Sequence, residues 1–336
     1  MTAPIPVTVI TGFLGSGKTT LLGRLLSHSA MAGTAVIINE YGEVALDHWL
    51  VESGGEELIT LGNGCVCCSL RGDLVSRFRR LLINAGSGQG PAFRRIVIET
   101  TGLADPAPIV HTLMQDPLLS ERCVMDGIVT LVDAVHAAAT LDAHPAAATQ
   151  VAMADRILIT KADLVAPAAL AEVRCRVQAV NPSIAALPVE YGRVEPDAIL
   201  HCGPGTGGVA ALGRWLPGQT FAPLGESKGL PDRHRRAGIE TLLLEPEAPV
   251  SRAALERFMD LLCETWGDRL LRCKGILAVT DDPTRPAVVH AVRHQRHPVG
   301  RLPAWPVDLQ DSRLVCIGER LQEDWLRGLW ASCAGG

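Results

Sequence analysis

Residues 12–20 read Gly-Phe-Leu-Gly-Ser-Gly-Lys-Thr-Thr, and no other stretch limits the fold as strongly. The run fits the pattern G-x-x-x-x-G-K-[ST]. Gly12, Gly15 and Gly17 let backbone N–H groups turn inward around an anion, where side chains would block the approach. Such a loop needs a buried strand before it and a helix after it, with the positive end of the helix on the same anion. Both flanks comply. Residues 6–11 are an apolar run, and residues 18–29 carry apolar side chains at helical spacing. The segment is expected to cradle nucleotide phosphates, with Ser16 and Thr20 in the cradle. Lys18 should reach the β- and γ-phosphates, and the Thr19 hydroxyl should ligate Mg²⁺.

Past that unit the chain keeps alternating. Short apolar runs at 34–39, 57–61, 95–99, 127–133 and 156–160 read as strands, and segments of helical period at 70–84, 107–114 and 167–180 lie between them. Continuous apolar strands separated by helices predict an α/β fold of the P-loop NTPase type, a parallel sheet with helices on both faces. Residues 84–91 read as a surface loop. After His201 glycine and proline dominate and periodicity disappears. Residues 203–236 are therefore expected to link a domain spanning 1–202 to a smaller one spanning 237–336. In the smaller domain, expected strands at 238–244, 270–280, 287–292 and 314–317 accompany helices at 251–265 and 322–330. That is an α+β arrangement with a mostly antiparallel sheet, and Ser251 is a good N-cap.

Two further segments belong to nucleotide chemistry. The strand expected at 95–99 ends in Glu99, and Gly102 follows three positions later. In phosphate-loop enzymes an acid so placed holds Mg²⁺, directly or through water, and the glycine N–H can sense the third phosphate. The strand expected at 156–160 runs into Thr160-Lys161-Ala162-Asp163. The Asp163 carboxylate can accept from both N1–H and the exocyclic amino group of guanine; adenine lacks that pair of donors. The Lys161 stem can lie across the base. Many GTPases carry Asn at the position of Thr160, so a backbone or water contact would replace one side-chain contact here. The ordinary alternative is that Lys161 and Asp163 begin a solvated helix.

Cys65, Cys67 and Cys68 place three thiols within four residues. Thiolates select Zn²⁺, Cu⁺ and similar ions. Structural zinc generally takes four ligands in two separated pairs, and no second pair follows downstream. The expected site is therefore open and exchangeable, with Glu40 as a candidate oxygen ligand. Buried thiols in a tight turn, or a redox pair, are the alternatives. The other seven cysteines are single and read as small buried hydrophobes. His111, His136 and His144 read as surface or core histidines. His290, His294 and His297 are clustered without a ligand motif.

The formal net charge of −5 argues against nucleic acid as the main partner. No apolar run reaches the roughly 18 residues a membrane span needs. The first residues, Met-Thr-Ala-Pro-Ile-Pro, lack the charged start and apolar run of a signal peptide, so a cytoplasmic setting with reduced thiols is expected.

Taken together and in this order, residues 12–20, 39–44, 64–68, 99–106 and 160–163 closely resemble the CobW-like family of P-loop GTPases, the cobalt- and zinc-handling metallochaperones. Residues 271–276 and the Trp305-Pro306 region are similar to that family's smaller domain. The resemblance implies slow hydrolysis of GTP to GDP and phosphate with Mg²⁺, using Lys18 and Glu99. It implies a transferred metal, Zn²⁺ or Co²⁺, bound at Cys65, Cys67 and Cys68 with help from Glu40, and a client metalloprotein that receives it. Many relatives carry a histidine-rich loop; this chain has none. A homodimer is an option the sequence does not decide. Two rivals remain at this point: a non-catalytic sensor of metal and nucleotide, and a P-loop small-molecule kinase. Asp163 and the lack of an arginine-rich lid argue against the kinase.

Overall fold

In the computed structural model the described residues are 3–39, 59–60, 66–69, 74–88, 90, 92–184, 186–203, 238–306 and 309–335. Among these residues the first sheet has eight strands: β1 (Ile5–Gly12), β2 (Thr34–Asn39), β3 (Ile59–Thr60), β4 (Val66–Ser69), β5 (Arg95–Thr100), β6 (Cys123–Asp133), β7 (Arg156–Thr160) and β8 (Ala186–Pro188). Their spatial order is β3-β4-β2-β5-β1-β6-β7-β8. Every pairing is parallel except β3 with β4.

Helices cover both faces, as the continuous apolar strands require. α1 (Lys18–Leu26) packs Leu21, Leu22 and Leu25 on Ile10, Val36, Val97 and Leu131. On the opposite face α2 (Leu74–Gly86) and α3 (Ala107–Gln115) bring Phe78, Val110 and Leu113 against Val7, Val9 and Ile98. After α3 come α4 (Pro117–Arg122), α5 (Ala137–Ala143), α6 (Pro145–Met153) and α7 (Pro167–Val180). Sequence periodicity misses α4, α5 and α6. α4 is only six residues long, and α5 and α6 lie in an alanine-rich run, so neither shows a contrast of faces. α2 also continues three residues, 84–86, into the segment expected to be a loop.

The second sheet is antiparallel: β9 (Ile239–Leu244), β10 (Leu270–Leu277), β11 (Ala287–Val292), β12 (Gln295–Arg296), β13 (Gly300–Arg301) and β14 (Arg313–Glu319). The Ser251 hydroxyl accepts from the Ala254 N–H at 3.2 Å and caps α8 (Arg252–Trp266); α9 (Glu323–Ala334) closes the chain. β10 stops at Leu277, three residues short of the expectation, because Val279 turns to bridge Val250. One face of this sheet packs on α8 and α9. The other contributes Leu271, Ile276 and Val288 to the same apolar cluster as Ala152 and Met153 at the end of α6.

A buried ionic cluster crosses that contact. Asp155, just after α6, lies against Arg272 and 3.0 Å from Lys274 Nζ, both on β10. Burial alone would raise the Asp155 pKa, but the two cations overcome it and bring the carboxyl down to about 2. The expected linker, residues 203–236, lies outside the described residues apart from Gly203. Of the seven single cysteines six are buried, and Cys175 is exposed, against expectation. Burial pushes Cys123, Cys202 and Cys263 up to about 12, so they stay protonated and inert at neutral pH.

Candidate functional site

The glycine loop leaves β1 at its carboxyl end, between β5 and β6. Ile10 is in register with Glu99, and Gly12 with Leu131, two residues before Asp133. The ends of three strands therefore meet at one edge of the sheet, where open α/β sheets hold ligands. Gly17 takes a left-handed φ of 87° to start α1, a conformation a side chain would strain, and no side chain among the described residues caps that helix. The first turn of α1 opens onto the loop, an arrangement suited to phosphate.

Lys18 is 9% exposed and folds across its own loop, donating from Nζ to the carbonyls of Gly12 at 2.7 Å and Phe13 at 3.2 Å. The Thr19 hydroxyl donates to Glu99 Oε1 at 2.7 Å. A hydroxyl and a carboxylate in contact at a phosphate loop are hard oxygen donors, the set that Mg²⁺ takes together with phosphate and water. Below them Thr100 Oγ1 donates to Thr11 Oγ1 at 2.8 Å, buried between β5 and β1. Ser16 Oγ is buried with no hydrogen-bond partner among the described residues. The turn that follows β5 lies against the loop: a Cβ on Gly102 would stand 2.7 Å from the Leu14 nitrogen.

On the base side the three expected residues make contacts within the protein. Thr160 Oγ1 donates to the Ser16 carbonyl at 2.7 Å, tying β7 to the glycine loop. Lys161 takes a left-handed φ of 57° and sends Nζ to Asp133 Oδ2 at 2.7 Å. Burial would raise the Asp133 pKa, but hydrogen bonds from Lys161 and His136 hold it below its ordinary 3.8. Asp163 Oδ1 accepts from the Tyr191 N–H at 2.9 Å.

Cys67 and Cys68 are residues of a strand, not of a loop: β4 places them in register with Val36 and Ile37 of β2. The same two β2 residues are in register with Val97 and Ile98 of β5. Cys68 is thus two strands from β5, about 10 Å away at ordinary strand spacing, and one position short of the level of Glu99. Cys65 and Glu40 lie outside the described residues, although β2 ends at Asn39 immediately before Glu40. Among the described residues no group of three or more His, Cys, Asp and Glu side chains is arranged to hold a metal. Buried His290 and partly buried His297 are stacked with ring centroids 3.6 Å apart, while His294 turns away to Asp268 at 3.0 Å. His111 is exposed, His136 pairs with Asp133 at 3.0 Å, and His144 stacks on Phe13 of the glycine loop at 4.5 Å.

Three residues at the site escape sequence reasoning. Asp133 had a signal, since it ends an apolar strand in an acid as Glu99 does. Gln150 on α6 donates from Nε2 to the carbonyls of Gly102 at 3.2 Å and Ala104 at 3.0 Å. Its only mark is a long polar side chain in an alanine-rich run. Arg293, in the turn after β11, reaches Asp105 Oδ2 at 2.8 Å and has no local signal at all.

Residues 6–188 match the family model for the CobW/HypB/UreG nucleotide-binding domain, and residues 239–334 match that for the cobalamin synthesis protein cobW C-terminal domain. The chain is 33% identical over 328 residues to the zinc chaperone YjiA of Escherichia coli, covering 98% of each protein. It is 30% identical over 328 residues to zinc-regulated GTPase metalloprotein activator 1 of Saccharomyces cerevisiae, covering 86% of this chain and 74% of that one. The crystal structure of Zn(II)-bound YjiA GTPase superposes with a TM-score of 0.76 at 31% identity, covering 99% of both chains.

Proposed function

Because the chain belongs to the CobW family of nucleotide-binding proteins, we propose that it is a GTP-hydrolysing metallochaperone that carries Zn²⁺, or a similar divalent ion, to a client metalloprotein. The observation that carries the reading is the meeting of Lys18, Thr19 and Glu99 at one sheet edge, two strands from the Cys67–Cys68 pair. Zinc in the relatives' names favours Zn²⁺ over Co²⁺ as the cargo.

In this reading Lys18 leaves the carbonyls of Gly12 and Phe13 for the β- and γ-phosphates, trading neutral hydrogen bonds for stronger charge-assisted ones. Gly12, Gly15, Ser16, Gly17 and Thr20 line the phosphates with backbone and hydroxyl groups. Thr19 and Glu99 would hold Mg²⁺, which when bound neutralises charge developing between the β- and γ-phosphates. Glu99 orients that ion or the attacking water, and the Gly102 N–H meets the γ-phosphate. Asp163 accepts from guanine, Lys161 covers the base, and Thr160 holds the loop behind it. Cys65, Cys67 and Cys68, with Glu40, are the proposed ligands of the transferred ion. β2 lies between the thiol strand and β5, and Glu40 follows its end, so any shift of that end on γ-phosphate loss changes the metal's ligand set. The domain division at 1–202, 203–236 and 237–336 and a cytoplasmic location belong to the same proposal.

Phosphate release measured with GTP and ATP, with and without Zn²⁺, tests it. Expected is slow GTP-selective turnover that Zn²⁺ alters in the wild type and leaves unchanged in a C67S/C68S variant. GTP binding without turnover under any metal condition would instead indicate a sensor without enzymatic activity.

A further inference from the structure

The turn between β5 and α3 is held from outside by a side chain of α6. Gln150, 1% exposed on α6, donates from Nε2 to the carbonyls of both Gly102 and Ala104. Within the turn the Ala104 N–H returns to the Thr101 carbonyl at 3.1 Å. The peptide plane before Gly102 is thus fixed by the turn, and the plane after it by Gln150. Both backbone torsions of the glycine are set in this way. The donor is itself anchored, because the Gln150 carbonyl accepts from Thr130 Oγ1 of β6 at 2.8 Å.

A filler role does not explain this side chain. Its Oε1 is buried with no partner among the described residues. Such an orphan acceptor carries a desolvation penalty that a leucine or methionine of similar volume would avoid. The amide is used from its donating end only, and everything it donates to lies in the turn that packs on Leu14 of the glycine loop.

We propose that Gln150 is a positioning residue for GTP hydrolysis: its amide holds residues 101–104 so that the Gly102 N–H meets the third phosphate. The proposal rests on the GTPase reading above. GDP has no third phosphate, so the residue should matter for the triphosphate and for turnover, and little for the diphosphate. Arg293 holds the far end of the same turn through Asp105, so the second sheet also bears on the sensor.

The test uses the full-length chain and compares wild type with Q150L, which keeps volume and removes the orphan acceptor, and Q150E, which replaces the donor with an acceptor. Affinities for GDP and for a non-hydrolysable GTP analogue are measured beside kcat and thermal melting. Expected for Q150L are a kcat loss on the order of tenfold or more, a similar fall in the analogue-to-GDP affinity ratio, and GDP affinity and melting close to wild type. Q150E should be at least as impaired as Q150L. A variant that unfolds, or that loses GDP and analogue affinity in parallel, overturns the proposal by making Gln150 a structural residue. An unchanged affinity ratio and kcat overturn it while leaving the GTPase reading intact. A wild-type protein that does not distinguish the triphosphate, or does not turn it over, overturns both.

Discussion

The Thr19 hydroxyl and the Glu99 carboxylate are hydrogen-bonded at 2.7 Å although 80 positions separate them in the chain. The contact exists because β1 and β5 are parallel neighbours whose register sets Ile10 beside Glu99. Both side chains serve one Mg²⁺ in the proposed chemistry, so their effects should not add. T19A and E99Q alone should each lower kcat roughly a hundredfold, and the double variant should be little worse than the poorer single one. Phosphate-release kinetics on the four proteins give the coupling; independent effects would contradict a shared ion.

Lys18→Ala should abolish measurable GTP hydrolysis, a loss of about 10²-fold or more, because the cation proposed to meet the transferring phosphoryl group is gone. Weak Zn²⁺ binding to the nucleotide-free protein should survive, since Lys18 donates to carbonyls of the glycine loop and is not one of the proposed metal ligands. Turnover at the wild-type rate would remove Lys18 from the mechanism.

Asp163→Asn should shift base preference from guanine towards xanthine. An amide offers one acceptor and one donor, which suits the N1–H and O2 of xanthine and leaves guanine's amino group unmatched. A loss of GTP affinity of roughly a hundredfold, with xanthosine triphosphate gaining, is expected in competition binding. Equal affinities before and after would leave Asp163 as the start of a helix and nothing more.

The buried cluster between the two sheets sets the response to acid. Burial, with Arg272 nearby, lowers the His297 pKa to about 3 from an ordinary 6.5, and His290 is lowered well below the same value by burial, His297 and the two cations. Below pH 6.5 the unfolded chain binds these protons and the folded chain does not. Stability is therefore intact above 6.5 and falls as pH drops, by up to about 1.4 kcal/mol per pH unit for each histidine. Asp155, lowered to about 2 from 3.8, adds a second loss between those values. Denaturant unfolding from pH 7.5 to 4 should show the slope, and H297F should flatten it. Removing Asp155 as alanine leaves Arg272 and Lys274 buried against each other and should cost about 3–5 kcal/mol at neutral pH.

What could be read from the chain divides along physical lines. Gly12–Thr20, Glu99, Gly102 and Asp163 stand out in the chain because the proposed chemistry demands particular residue types at short spacing, and the fold brings Thr19 and Glu99 together. The sheet was legible where strands such as 34–39 and 156–160 are continuous apolar runs. α5 and α6 were not, because Ala-rich helices buried among other elements carry no contrast of faces. Gln150, Arg293 and Asp155 act over 46, 188 and 117 positions respectively, and no local pattern records such partners. The Thr160 hydroxyl reaches the Ser16 carbonyl across 144 positions, another partner that no local pattern records. The run containing Cys67 and Cys68 held no apolar alternation to mark it as a strand, yet its backbone pairs with β2.

In the proposed cycle the thiol strand and the triphosphate site communicate through β2, the strand that lies between β4 and β5. Anaerobic Zn²⁺ titration of the nucleotide-free protein, its GDP complex and its complex with a non-hydrolysable GTP analogue measures that linkage directly. The account predicts that the triphosphate form binds the ion most tightly, by a factor on the order of tenfold over the GDP form, with the difference absent in C67S/C68S. One Zn²⁺ affinity shared by all three wild-type states would contradict it.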